Sequence, residues 1–213
     1  MLINSFKSKF SISASPFTIP RGNEFIGLEN YTQGIENTGF PTAFGWSLFI
    51  TVFSVAAIII FTSMTAWYLV RAKNKFSLFL YYLFVFSMIV PFQMVMYTMT
   101  FVVNTIAFNN VFGIILVYLG FGAGLAVFMF TGFVKSIPVE VEEAATIDGC
   151  TPLQTFFMVV FPMLKSITIT VAILNVMWIW NDYLLPYLVI GSKYRTIPVA
   201  VQYLQGGYGS RDM

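Results

Sequence analysis

Side chains that could carry out catalysis or bind a metal ion are scarce in this sequence. Its 213 residues include one cysteine, Cys150, and no histidine, which excludes zinc clusters, disulfide frameworks and catalysis by an imidazole. Neither a nucleophile with a base beside it nor a glycine-rich phosphate loop ending in Lys and Ser or Thr is present. The sequence therefore predicts a chain that is not an enzyme and that depends on a partner for any ATP hydrolysis.

The remaining candidate side chains fall in two places, and the first is an apolar segment near the C-terminus. Asp182 is the only acid within an apolar stretch, and Asn175, Trp178 and Asn181 precede it. An acid in such a stretch is by default a functional candidate. The alternative is that Asp182 reaches water at the edge of the segment while the neighbouring aromatic side chains form an interfacial belt.

The second place is the segment 135–165, which has six charges in thirty-one residues. Residues 136–149 predict a short helix, because Pro138 suits a first turn, the acids that follow it favour the positive end of the helix dipole, and Gly149 can end the helix in a left-handed conformation. Thr151 and Pro152 predict a second helix start. One alternative is a solvated loop with an incidental amphipathic helix. The other is a docking segment, since small and apolar side chains accompany the charges.

Composition indicates the elements that must position these residues. The chain is 58% hydrophobic, 18% aromatic and only 9% charged, and so few charges cannot cover the surface of a soluble protein of this size. Disorder is excluded by the same hydrophobicity, and a net charge of +2 gives no reason to expect a nucleic-acid partner. The sequence predicts an all-α integral membrane protein in contact with the lipid bilayer.

Uncharged stretches predict four membrane-spanning helices, each of about 20 residues. Arg71, Lys73 and Lys75 end the first stretch, and polar residues around Asn109 mark a hairpin after the second. Pro91 predicts a kink, and the Gly120/Gly124 spacing predicts a close-packed seam. The four spans are placed at about 45–70, 76–97, 111–134 and 166–190.

The distribution of Lys and Arg orients these spans. Three basic residues within 71–75 join two spans directly, and this density favours the cytoplasmic side. The prediction then has an external segment at 1–40, a transmembrane domain at 41–190 with a cytoplasmic loop at 135–165, and an external segment at 191–213. Because residues 1–10 contain no signal-peptide core, a polar external head is unusual. We therefore expect that a span before Met1 is missing.

A motif in the loop resembles a known family. Residues 143–149, Glu-Ala-Ala-Thr-Ile-Asp-Gly, followed by Phe161-Pro162, are similar to the EAA motif of ABC importer permeases. The chain departs from the family pattern in Cys150, where Ala is usual, and in Phe161, where Leu is usual. Both replacements are small or apolar.

The resemblance extends along nearly the whole chain. Residues 180–186, Trp-Asn-Asp-Tyr-Leu-Leu-Pro, resemble an element of the carbohydrate-uptake branch of these permeases. Residues 196–200 and 208–209 resemble the external segment that follows it, and residues 4–8, Pro16 and 30–31 resemble the stretch after the first span. The likeness implies six spans in the complete subunit, and we therefore expect that the first and the last lie outside this sequence.

The resemblance also implies a function. The chain would be a permease subunit of an ATP-driven sugar importer in the bacterial plasma membrane, with an oligosaccharide as the expected substrate. Its expected partners are a dimer of ATP-binding subunits that hold ATP and Mg²⁺, a second permease subunit and an external sugar-binding protein. The alternative is an ion-coupled secondary carrier, which the absence of a titratable group at the centre of a span disfavours.

Site residues follow from the resemblance. The short cytoplasmic helix would be the coupling helix that docks on the ATP-binding subunit. Its expected contact set is Glu143, Ala144, Ala145, Asp148 and Gly149. Because aromatic rings and neutral amides suit a sugar, the expected substrate path is lined by Asn175, Trp178, Asn181 and Asp182.

Overall fold

The computed structural model describes residues 2–15, 17–191 and 193–204, and this part of the chain is helical. It contains no β-strand, only an isolated bridge between Lys7 and Phe25. Two 3-10 turns lie at Asn4–Phe6 and Gly22–Glu24, and a π-helical segment lies at Phe156–Val160. The α-helices are α1 (Lys9–Ala14), α2 (Glu29–Thr38), α3 (Phe40–Ala72), α4 (Lys75–Ser87), α5 (Phe92–Thr105), α6 (Val111–Val134), α7 (Val139–Ile147), α8 (Pro152–Thr155), α9 (Phe161–Met163), α10 (Lys165–Asn181), α11 (Leu184–Val189) and α12 (Ile197–Leu204). The predicted all-α class is confirmed.

Two of the predicted spans are continuous helices. By length and composition, α3 with 33 residues and α6 with 24 residues can each cross a membrane. The bounds predicted for the third span match those of α6. The side chain of Asn110 accepts a hydrogen bond from the Gly113 amide at 2.9 Å and so caps the start of α6. Polar residues thus mark the hairpin, as predicted.

The second span is broken, which corrects the prediction of one helix over 76–97. Helix α4 ends at Ser87, α5 begins at Phe92, and the two axes are bent by 106°. Pro91 explains the position of the break, because proline has no amide proton and disfavours the helical conformation in the residue before it. The predicted kink is therefore a change of direction between two separate helices.

The fourth span is also broken, which corrects the prediction of a helix over 166–190. Helix α10 ends at Asn181, and α11 begins at Leu184. In a continuous helix the ring of Pro186 would clash with the carbonyl group of Asp182, four residues earlier. Instead, the Asp182 carboxylate accepts hydrogen bonds from the amides of Leu184 and Leu185, at 3.0 and 3.4 Å. Upstream, the segment Pro152–Met163 meets α10 at 79°.

The chain divides into two compact units, and the larger comprises Phe49–Asn181. There α6 packs against both α4 and α10. A side chain at Gly124 would lie 2.6 Å from Ser87 Oγ, and one at Gly122 would lie 2.6 Å from Ile58 Cδ1, whereas an added Cβ at Gly120 meets no atom within 4 Å. The predicted seam is therefore correct for Gly124 and wrong for Gly120.

The smaller unit takes its residues from Met1–Leu48 and Asp182–Met213. The Asn30 amide donates to the carbonyl groups of Ser5 and Lys7, each at 2.9 Å, and so ties α2 to the N-terminal segment. The Ile197 amide donates to Ser47 Oγ at 2.8 Å at the start of α12. Of the predicted elements, Pro16 and residues 208–209 lie outside the described residues. The sidedness of both terminal segments stays a prediction.

Candidate functional site

Helix α7 forms as the sequence predicts, with a shift of one residue at its start. Pro138 is the residue before the helix, which begins at Val139 rather than at the proline. At its end, Gly149 has φ +86°, and the amides of Gly149 and Cys150 donate to the carbonyl groups of Thr146 and Ala145, both at 3.0 Å. This pair of bonds is the Schellman arrangement that a left-handed glycine permits.

The predicted contact set does not share one face of α7. Glu143, Ala144, Asp148 and Gly149 are exposed, whereas Ala145 is only 7% exposed. Ile147 is the most exposed apolar side chain on the helix, at 86%. One side of α7 is therefore exposed and combines small, acidic and apolar groups.

The opposite side of α7 is bonded to α3 through Glu142, which the sequence alone indicates only as an acid near the start of the helix. Its carboxylate accepts from Arg71 Nη2 at 2.6 Å, from Arg71 Nε at 3.0 Å and from Trp67 Nε1 at 2.9 Å. Arg71 Nη2 also donates to the carbonyl group of Ile137 at 3.0 Å. We call Trp67, Arg71 and Glu142 the α3–α7 clamp.

The chemistry of the clamp explains why it holds. The side chains of Arg71 and Glu142 are 19% and 11% exposed, so water screens the charges less than at an open surface. Charge-assisted hydrogen bonds are the stronger kind, and here three donors converge on one carboxylate. The sequence contains one indication of the clamp, because Trp67 and Arg71 lie four residues apart and therefore share one face of α3. Their partner, however, lies 71 residues beyond Arg71.

The second half of the loop packs against the same part of α3. Phe156 is fully buried, and its ring centroid lies 5.5 Å from that of Trp67 and 5.9 Å from that of Phe161. The π-helical turn ends at Val160, two residues before Pro162. In a regular α-helix the ring of Pro162 would clash with the carbonyl group of Met158. Both halves of the loop thus contact α3 through Trp67.

The predicted N-cap of the second helix of the loop, Thr151, is confirmed. Thr151 precedes α8, and its hydroxyl accepts from the Gln154 amide at 3.4 Å. The Gln154 side chain in turn accepts from the Thr151 amide at 2.8 Å. This reciprocal pairing is a capping box. The cap at Thr151 and Pro152 at the first helical position are as the sequence predicts.

The four predicted substrate-path residues occupy different environments. Asn175 is 5% exposed, lies on the buried side of α10 and donates to the Val171 carbonyl group at 2.9 Å. Its Oδ1 lies 3.0 Å from the position of an added Cβ on Gly122, so it faces α6. Asp182 caps α11 with its carboxylate. These two side chains are engaged in packing and capping.

Trp178 and Asn181 are more accessible than Asn175. Trp178 is 40% exposed, and its ring meets that of the fully buried Tyr118 edge-on, at a centroid distance of 5.5 Å. Asn181 is exposed and donates to the Met177 carbonyl group at 2.7 Å. Within the described residues, no cluster of His, Cys, Asp and Glu could hold a metal ion.

Comparison with known proteins identifies the family. Residues 58–209 match the family described as the binding-protein-dependent transport system inner membrane component. A relative in Thermoanaerobacterium thermosulfurigenes, the probable starch degradation products transport system permease protein AmyC, is 41% identical over 98% of this chain and 75% of its own length.

Two further relatives support the same family. The multiple sugar-binding transport system permease protein MsmG of Streptococcus mutans is 32% identical, over 97% of this chain and 75% of its own length. The melibiose/raffinose/stachyose import permease protein MelC of Bacillus subtilis is 33% identical, over 94% and 72%. The chain thus spans about three quarters of the length of these relatives.

The fold of this chain is also similar to that of a solved transporter. The crystal structure of a bacterial ABC transporter that imports the acidic polysaccharide alginate superimposes with a TM-score of 0.75, at 22% identity, over 96% of this chain and 70% of that one. The relatives are transport subunits rather than enzymes. The chain therefore belongs to the binding-protein-dependent inner-membrane family and is a multi-pass permease subunit of an ABC importer in the plasma membrane.

Proposed function

We propose that this permease imports an oligosaccharide and that α7 is the helix through which it responds to its ATP-binding partner. Support for the substrate class comes from the relatives, whose names refer to starch degradation products, to multiple sugars, and to melibiose, raffinose and stachyose. The identity of 32–41% extends over nearly all of this chain. A chain of linked sugar rings is therefore the expected cargo.

The observation that carries the coupling proposal is the two-sided character of α7. Glu142 fastens one side to α3, while Glu143, Ala144, Asp148 and Gly149 on the other side are exposed. We assign these four to the partner contact and add Ile147, an exposed apolar side chain that suits a groove. Ala145 belongs to the buried side.

The proposed assembly follows from the family. This chain would pair with a second permease subunit and with two ATP-binding subunits, which hold ATP and Mg²⁺. An external binding protein would deliver the sugar. A push on α7 by the ATP-binding subunit would reach α3 through the α3–α7 clamp, because charge-assisted hydrogen bonds join the two helices. An ion-coupled carrier is not driven by an ATP-binding subunit and would not need a helix that contacts one.

Charge reversal on the exposed side of α7 tests the coupling proposal. Glu143→Lys should lower sugar uptake at least tenfold, because a positive charge replaces the carboxylate offered to the partner, with a cost of about 1.5–3 kcal/mol for a charged hydrogen bond. Uptake of radiolabelled oligosaccharide is measured at matched amounts of the assembled transporter in the membrane.

The matched control is Ser136→Lys, which adds a positive charge to the same loop outside α7, at an exposed residue. It should transport normally. Normal uptake by Glu143→Lys at normal expression would remove Glu143 from the coupling contact, and equal losses in both variants would mean that the loop responds only to total charge.

For the substrate path we propose Asn181 and Trp178, the two accessible members of the predicted set. An amide and an indole ring offer the hydrogen bonds and the flat apolar face that a sugar ring requires. Asn175 and Asp182 would instead position the helices that line the path. Asn175 packs against Gly122, and Asp182 caps α11.

The pair Asn181→Ala and Asn175→Ala separates these roles. Asn181→Ala should raise the apparent KM or change the order of preferred sugars while the amount of protein stays normal. Asn175→Ala should lower the amount of folded protein, since it leaves a cavity at a buried site, with the order of preference unchanged. The measurement is uptake kinetics with several oligosaccharides. If Asn181→Ala transports the same sugars in the same order and only less protein is present, the path assignment is wrong.

A further inference from the structure

A cavity of about 850 Å³ opens where four helices of the larger unit meet. Its walls come from the end of α3, the start of α4, the end of α6 and the start of α7. Helices α3 and α6 are the two continuous span candidates, and both end at this cavity. In an inner-membrane permease the cavity therefore lies at the level where spans leave the bilayer, which is the level of the lipid headgroups.

The polar part of the cavity is positively charged. Three lysines line it, Lys73, Lys75 and Lys135, and in the part of the chain that the structure describes none of them forms an ion pair with a carboxylate. Lys135 Nζ lies 5.7 Å from the centroid of the Tyr81 ring, which also lines the cavity. Among the described residues that line the cavity, Glu140 is the only acid. Three ammonium groups thus face a single opposing carboxylate.

Two helices add to this positive potential because they begin at the cavity wall. Asn74 caps α4, a helix of 13 residues, and Pro138 precedes α7, a helix of nine. The start of a helix carries about half a positive charge. Arg71 also lines the cavity, but its guanidinium is committed to Glu142. An anion in the cavity would therefore meet three lysine ammonium groups and two helix starts.

The remaining wall is apolar, which distinguishes the cavity from a site for a free inorganic anion. Leu69, Val70, Leu78 and Val139 line it, and Leu78 is 54% exposed. A ligand that fills the cavity would have a negative headgroup on the lysines and an apolar portion along these side chains. Anionic phospholipids have this structure, and basic pockets between spans on the cytoplasmic side are known to bind their headgroups.

We infer that this basic cavity, bounded by α3, α4, α6 and α7, binds the headgroup of an anionic phospholipid. The inference rests on the cavity and its lining and does not depend on α7 being the coupling helix. A preference for basic residues on one side of the membrane explains lysines at the ends of spans, but it does not require them to converge on one amphipathic cavity. The occupant is a lipid of the surrounding leaflet.

Lipid binding to the assembled transporter tests the inference. The transporter, purified with its partner subunits, is titrated with phosphatidylglycerol or phosphatidylcholine, and bound lipids are counted by native mass spectrometry. The wild-type transporter should bind phosphatidylglycerol in preference to phosphatidylcholine. The triple variant Lys73→Gln, Lys75→Gln, Lys135→Gln should bind phosphatidylglycerol roughly a hundredfold more weakly, since each cation near an anionic surface contributes about fivefold.

Two control variants make the result specific. Lys165→Gln removes an exposed lysine outside the cavity and should bind as the wild type does. Replacing the three cavity lysines by arginine keeps the charge and should preserve binding, which separates loss of charge from misfolding.

Three outcomes would overturn the inference. The first is equal binding of the two lipids by the wild-type transporter. The second is undiminished binding of phosphatidylglycerol by the triple Gln variant. The third is displacement of the lipid by millimolar inorganic phosphate, which would make the cavity a site for a free anion rather than for a lipid.

Discussion

Two neighbouring acids on α7 have opposite roles. Glu142 is 9% exposed and bonded to Arg71 and Trp67, whereas Glu143 is exposed. Consecutive residues on a helix point about 100° apart, so one carboxylate can serve the fold while the next is available to a partner. The family motif includes Glu143 but not Glu142, so the motif gives no indication of the role of Glu142.

The residue-scale prediction concerns the α3–α7 clamp. Glu142→Ala should lower the free energy of unfolding of the assembled permease by about 1.5–3 kcal/mol, because Arg71 and Trp67 lose a charged acceptor in a partly buried setting. Glu140→Ala is the matched control, since Glu140 is an exposed acid in the same helical turn, and its effect should stay within about 0.5 kcal/mol. Thermal unfolding of the purified transporter measures both. Equal destabilisation by the two variants would contradict a specific clamp.

Proline and glycine decide the shape of the elements. Pro91 and Pro186 account for the breaks between α4 and α5 and between α10 and α11, and Pro162 accounts for the π-helical turn. Glycines set how closely the helices approach. Along α6, Gly124 sits against α4 whereas Gly120 has open space around it. Of these two glycines one turn apart, Gly124 permits the close approach of α4, whereas Gly120 has no neighbour that requires a glycine.

The element-scale prediction compares these two glycines. Gly124→Ala should destabilise the contact between α4 and α6, because an added Cβ would lie 2.6 Å from Ser87 Oγ and 2.9 Å from the Phe84 carbonyl oxygen. Overpacking of this kind costs about 1–3 kcal/mol. Gly120→Ala should be neutral or slightly stabilising, because alanine favours a helix. The measurement is the yield and the unfolding temperature of each variant. A loss with Gly120→Ala as large as that with Gly124→Ala would contradict the packing described for α6.

The whole molecule has a predicted direction in the membrane. The helix α7 and the basic cavity belong to the loop side of α3 and α6, which the density of basic residues at 71–75 assigns to the cytoplasm. The first forty residues would then lie outside.

Cysteine labelling tests this direction. In a Cys150→Ala background, Thr146→Cys on α7 should react with an impermeant maleimide only in inverted vesicles, and Thr32→Cys on α2 should react in intact cells. Both positions are exposed, so access to the reagent depends on the side of the membrane. Labelling of Thr146→Cys from outside would reverse the topology.

Local features of the fold followed from the sequence alone. The membrane class followed from composition, and the bounds of α6, the polar hairpin before it, the start of α8 at Thr151 and Pro152 and the left-handed Gly149 followed from residues within a few positions of each other. Such features depend on backbone hydrogen bonds and steric limits that neighbouring residues determine. The resemblance added the family, which the comparisons confirm.

Only the tertiary structure decided which sides of the helices meet. In a soluble helix an apolar stripe marks the buried side, but a spanning helix is apolar all round, because lipid and protein interior are equally apolar. The sequence therefore could not distinguish Gly124 from Gly120, or show that Asn175 faces α6. It also could not pair Arg71 with Glu142, because these residues are 71 positions apart in the chain and meet only when α3, α6 and α7 have packed.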